Sequence, residues 1–435
     1  MINKGKFMSM TKFLFFLMPF IFLWELPATT ITLKPDTAND QVMSDRIKTV
    51  KIYKEGWQLS YPIITLHASE KLVLSFDELS TSPSDYTFSI IHCNAGWIKD
   101  DLDPFEFMDT PGDYRIRHYA YSFSTYVPYV HHEMKLPGDD WDFQKSGNYL
   151  ITVFDLQGKA VFSKRFMVSE NKTVVSAAMK RTLTGDTPPG NQALDITVNT
   201  EELNDADLSS PPILSVIQNG NWNEIKMNRQ PELSSANSFE YFFDGKNSFP
   251  GGNEYRSFDT KSLKYLSPHL QNITFAGNIF NIGLHTDKPR TFNDYFFDND
   301  LNGKFYISME GDSSSNTDAD YVNIYFTLPW AEPVVNGNIY VTGELSDWNF
   351  TPQNCMKYNF ANRSYELTML LKQGYYNYMY ALVKNGQPAD FSFIEGNHFE
   401  TENDYIIVSY VHDAQKDYDR LAGTQIFNTL VKNGK

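Results

Sequence analysis

The chain holds 2 cysteines in 435 residues, Cys93 and Cys355. That count rules out a dense disulfide framework, so stability must come from a packed core. Two buried thiols, or one bridge if distant segments meet, remain open readings. Basic residues are outnumbered, 37 Lys and Arg against 53 Asp and Glu, which gives a formal charge of −16. Three lysines against Glu25 fall in the first thirty residues, so the remainder carries −18. A surface of that sign repels nucleic acid and anionic lipid. Helical periodicity is nearly absent, and beyond Trp24 no apolar run is long enough to cross a bilayer as a helix. The sequence also lacks GxSxG, a glycine-rich phosphate loop, His-x-His, CxxC and HExxH. The usual signs of a nucleophile elbow, a nucleotide cradle or a zinc centre are therefore missing. No cofactor and no metal are expected.

The first thirty residues read as a signal peptide. Lys4, Lys6 and Lys12 precede the apolar run from Phe13 to Trp24, which Pro27-Ala28-Thr29-Thr30 follows. A basic start, a short apolar stretch and small residues near a cleavage point are the marks of export. No cysteine follows the run, which argues against a lipid anchor.

Aromatics are plentiful, with 33 Phe and 26 Tyr. Such side chains suit pleated, half-buried surfaces. Alternation with period two recurs: Leu72, Leu74 and Phe76 share a face, as do Tyr149, Ile151 and Val153. So do Val322, Ile324, Phe326 and Leu328, then Tyr365, Leu367, Met369 and Leu371, and Tyr376, Tyr378 and Tyr380. Gln157-Gly158, Asn219-Gly220, Asn336-Gly337 and Asn385-Gly386 punctuate these runs as hairpin turns. The expected fold is all-β, a tandem of antiparallel sandwiches of immunoglobulin-like, early-set type. The polar joint at 169–173 and the acidic, serine-rich stretch 312–320, read as a flexible loop or linker, divide the chain. The expected units are 1–30 (signal peptide), 31–170, 171–312 and 313–435.

Four places invite a chemical reading. His92 and Cys93 are adjacent on a strand and point to opposite faces, so they cannot form a pair. His131 and His132 splay apart for the same reason. Asp298-Asn299-Asp300-Leu301-Asn302-Gly303 begins like a calcium loop, but the twelfth position is Met309 where a glutamate is needed, so a plain turn is expected. Trp348 follows a hairpin in a stretch, Gly337 to Asn349 with Gly374 to Tyr380, that resembles glycogen-binding early-set modules. That resemblance implies an indole stacked on sugar. The second sugar-stacking tryptophan of those modules is replaced by Lys384-Asn385-Gly386-Gln387-Pro388. Packing is therefore the favoured role of Trp348, and a secreted carbohydrate-binding protein is the alternative function.

Longer stretches carry a second resemblance. Tyr61-Pro62-Ile63-Ile64 leads through Leu72 to Asp77 and on to Tyr86–Trp97. Tyr121 to Tyr129 continues to Ser146-Gly147-Asn148-Tyr149, and His398 to Tyr405 is joined by Asp419-Arg420-Leu421-Ala422-Gly423. Together they resemble the plug protein of the bacterial type IX secretion system. The resemblance implies a non-enzymatic periplasmic protein on the inner side of the outer membrane. Its partner would be the large outer-membrane translocon β-barrel, whose pore it seals when no cargo passes, without entering the membrane itself. No contact residue for that partner is defined by a motif.

Overall fold

Strict alternation does what it should in this computed structural model. Val322, Ile324, Phe326 and Leu328 are all buried, as are Leu72, Leu74 and Phe76, Tyr149, Ile151 and Val153, and Tyr376, Tyr378 and Tyr380. The structure describes residues 38–430, except 111–113, 182–185, 204–207, 209 and 312–314. The signal-peptide segment lies outside these residues. The fold is all-β, six sheets forming three face-to-face sandwiches.

The first sandwich sets a sheet of Gln41–Val42, Ala160–Ser169, Gly147–Phe154, Tyr86–Cys93 and Arg115–Ile116 against one of Ile47–Lys54, Leu72–Glu78, Val130–Leu136 and His118–Tyr121. Ile63–Thr65 adds to Ala160–Ser169 in parallel. Phe76, Phe88, Phe143, Tyr149, Phe162 and Phe166 fill the space between the two sheets.

The second sandwich pairs Val174–Lys180, Asn191–Asn199 and Ser238–Phe243 in one sheet. Its other sheet is Lys226–Asn228, Ile213–Gln218, Asp404–Asp413 and Tyr418–Asn428. The third is built within residues 256–395. It sets Leu270–Ala276, Ile279–Leu284, Tyr321–Pro329, Ser364–Lys372 and Lys357–Asn359 against Arg256–Asp259, Gly374–Lys384 and Phe305–Ile307. Gly337–Thr342 also pairs with Gly374–Lys384.

This pairing departs from a division at residue 312. The chain leaves the second sandwich after Phe249–Pro250, builds the third, and returns at Asp404 to pair Ile213–Gln218 residue for residue. The reason lies in the run Tyr405-Ile406-Ile407-Val408, apolar at every position and buried throughout. Such a strand needs cover on both faces. Leu214, Val216, Tyr405 and Ile407 pack against Leu194, Ile196 and Tyr241 within the second sandwich. Ile217, Ile406, Val408 and Tyr410 face the other way, onto Tyr61, Ile63, Trp97 and Met167 of the first. Each of those apolar side chains contributes about 1.5–3 kcal/mol on burial, so the sheet is a shared wall.

Two local expectations are corrected. Among the four expected hairpin turns both φ angles are positive only at Asn219-Gly220; at 336 only the asparagine is left-handed, and at 158 and 386 only the glycine. Asn336 sits where the chain passes from one sheet of the third sandwich to the other, so it is not a hairpin turn. The stretch 315–320 is not a linker. Ala319 and Asp320 are buried, and the Asp320 carboxylate accepts hydrogen bonds from Tyr126 N (2.8 Å) and Val127 N (3.1 Å) of the first sandwich. Its acidity serves that contact.

Candidate functional site

At the end of Tyr86–Cys93, His92 and Cys93 do face apart. His92 Nδ1 is paired with the Asp100 carboxylate, and its Nε2 lies 3.0 Å from the Ser146 carbonyl. The ring packs edge-on to Tyr149. Gly147 must be glycine here, because a Cβ would fall 2.1 Å from His92 Nε2. Cys93 lies on the opposite face, in the apolar seam shared with the second sandwich. Burial, with the Asp100 charge adding, pushes its thiol up to about 12. A thiol held neutral in that way is a poor nucleophile. Both cysteines are free.

His131 and His132 part likewise. His132 stacks on Phe76 in the first core. His131 Nδ1 meets Asp77 Oδ1 at 2.6 Å, and Asp77 Oδ2 in turn receives Tyr321 OH (2.7 Å) and Lys372 Nζ (2.6 Å) from the third sandwich. A buried polar network thus joins two sandwiches.

Trp348, for which packing is favoured over a sugar platform, is packed into the interior. The indole is 6% exposed and lies edge-on to Tyr255. Gly303, at φ +82°, presses against it, and a Cβ there would sit 2.7 Å from the ring. No pyranose can reach a face so covered. Nearby, Lys164 of the first sandwich pairs with Asp347, and Asn349 Nδ2 donates to Asp40 O at 2.8 Å. Trp348 therefore belongs to the seam where the sandwiches meet.

The stretch 298–303 does more than turn. Asp300 accepts backbone N–H bonds from Asn302 (2.6 Å) and from Tyr255. It also meets two carboxylates remote in sequence, Glu254 and Glu402, with acceptor atoms within 4.8 Å of one another. Burial, together with Glu254 and Glu402, pushes the Asp300 carboxyl up to about 8. Burial raises Glu254 as well, with Glu402 and Asp298 adding to the effect. Asp298 and Asp300 were visible as a motif; Glu254 and Glu402 carry no local signal.

Outside these seams, the surface displays aromatic side chains. Phe292 is 98% and Phe296 80% exposed, on a segment without regular structure between Ile279–Leu284 and Phe305–Ile307.

The fold and its seams define a class: a multi-sandwich β protein whose conspicuous histidines, cysteine and tryptophan are committed to packing. Residues 47–170, the body of the first sandwich, match the family model described as the type 9 secretion system plug protein 1st domain. The chain belongs to the type IX secretion system plug family. It is similar, at 31% identity and TM-score 0.84, to the crystal structure of a hypothetical protein from Parabacteroides merdae ATCC 43184, with 90% of this chain and 99% of that one covered. A fragment of the ICAM-5 D1–D4 ectodomain aligns at 7% identity and TM-score 0.14, over 88% of this chain and 76% of that one, which carries no weight. No curated protein matches the sequence.

Proposed function

We infer that the protein docks on the periplasmic mouth of the outer-membrane translocon barrel of its secretion system and seals the pore when no cargo passes. The observation that carries this reading is the match of the first sandwich to the plug-protein domain. Physical form agrees with the task. A plug must fill an opening by bulk and resist deformation, and the described residues from 38 onward belong to one compact unit. Its sandwiches are locked by a wall buried on both faces and by ion pairs with little exposure, Lys372–Asp77 and Lys164–Asp347. Release on cargo arrival favours an interface of moderate polarity over an obligate apolar one. The protein acts without turnover and without entering the membrane.

Crosslinking in intact envelopes followed by mild detergent extraction tests this. A large outer-membrane barrel should be recovered with the protein, and cells lacking it should admit large solutes. Unaltered permeability with no barrel recovered would dismiss the reading.

A further inference from the structure

The chain crosses between the second and third sandwiches twice, and both crossings reach one point. Glu254 lies on the outgoing crossing, between Phe249–Pro250 and Arg256–Asp259. Glu402 lies on the return, just before Asp404–Asp413. Asp300 comes from the third sandwich. Glu254 and Glu402 are 1% and 8% exposed. The charges acting on Glu254 are Glu402 and Asp298, and those acting on Asp300 are Glu254 and Glu402, all negative. Lys304, close in sequence, is engaged by Asp404 at 3.4 Å.

Two further atoms at this point have no donor. Glu254 Oε2 is buried without a hydrogen bond, and so is Asn302 Oδ1, on a residue 5% exposed. Asn302 Nδ2 donates to Glu402 Oε1 at 3.0 Å, which places the amide on the carboxylates. Exchanging its oxygen and nitrogen would set oxygen against carboxylate, so the orientation is fixed. Burying a carboxylate oxygen and an amide oxygen with nothing to receive is costly. A positive ion held among the carboxylates answers their mutual repulsion and the orphaned Glu254 oxygen.

We propose that Glu254, Asp300 and Glu402 form a site for a hard divalent cation, calcium by preference, that fastens both crossings to the 298–303 loop. All donors are oxygen, the set that calcium and magnesium take. Calcium–oxygen distances of about 2.3–2.6 Å allow two ligands of one ion to stand up to about 5 Å apart. Magnesium, at about 2.0–2.1 Å, allows only about 4.2 Å. Ligand atoms that all lie within 4.8 Å of one another are compatible with the calcium span, and a buried cage of protein oxygens suits calcium better than magnesium, which keeps several of its waters. The ligands come from three separate chain segments, so the site is unlike a twelve-residue calcium loop and needs no glutamate at 309.

The test uses the full exported chain, stripped with chelator and then given calcium or magnesium alone. Calcium should raise the melting temperature by a few degrees at about a hundredfold excess over Kd, and magnesium by less. Asp300→Asn and Glu402→Gln should abolish the calcium response, and Asp300→Asn should melt no lower than the stripped wild type because it relieves repulsion. Terbium emission excited through Tyr295, whose hydroxyl donates to Glu254 Oε1, should appear in the wild type and fall on adding calcium. That readout decides the matter if either variant fails to fold. No melting shift with either cation and no terbium emission would overturn the proposal. So would a calcium response that survives in both variants, or a stronger response to magnesium.

Discussion

Lys372 Nζ lies 2.6 Å from Asp77 Oδ2, although the two residues are 295 apart in sequence and each side chain is 1% exposed. The lysine also donates to Asn316 O at 2.7 Å and sits over the Tyr129 ring. Removing one member of such a pair strands the other charge in the interior. Lys372→Met should cost about 3–5 kcal/mol, and Asp77→Asn added to it should recover part of the loss. Urea unfolding of the wild type and the two variants checks both statements.

The same network sets a pH dependence. Burial opposes the charge on His131, but the hydrogen bonds to Asp77 and Glu133 prevail and hold its pKa above the ordinary histidine value. A group raised in the folded state binds its proton more tightly there. Its stabilisation is complete below the unfolded pKa and is lost as pH rises through the folded one. The difference in urea midpoint between wild type and His131→Gln should therefore be largest near about pH 5 and shrink by about pH 8. A difference that grew with pH would contradict the assignment.

Cys93 should ignore thiol reagents in the native protein, being buried and pushed up to about 12. Cys355, half-buried, should label first. Counting modified thiols before and after denaturation distinguishes the two.

Trp348→Ala should cost about 3–5 kcal/mol, the range for truncating a large buried aromatic. Gly303→Ala should also destabilise, through both the left-handed backbone and the contact with the indole. Glycan arrays with the wild-type protein should be blank.

Phe292→Ser with Phe296→Ser should leave the melting temperature unchanged, since neither ring is buried. On the plug reading the pair should lower recovery of the barrel in the crosslinking assay. Equal recovery would place the docking surface elsewhere.

Alternation made the strands legible because a side chain's face follows from its position parity. The opposed orientations of His92 and Cys93, and of His131 and His132, follow from the same rule. What stayed hidden depends on pairing between distant segments. Nothing local in Asp404–Asp413 says that its partner is Ile213–Gln218, and the joint at 312 seemed a boundary because acidic, serine-rich stretches usually face solvent. Asp298 and Asp300 stand together in a legible motif, yet their companions Glu254 and Glu402 reach Asp300 only through the two crossings. Trp348 had a hairpin setting like a sugar platform, but only Tyr255 and Gly303 decide that its face is closed.

The late return of the chain has a bearing on how the protein is made. The strands of the first sandwich are all made by Ser169, and the third is bounded by Arg256 and Glu395. The second cannot close until Tyr418–Asn428 has emerged. Until then Ile213–Gln218 presents a bare edge, open to mispairing with any extended neighbour. A chain that emerges from its N-terminus therefore passes roughly half its length with its middle unfinished, and assistance during that interval would matter more than the depth of the final minimum.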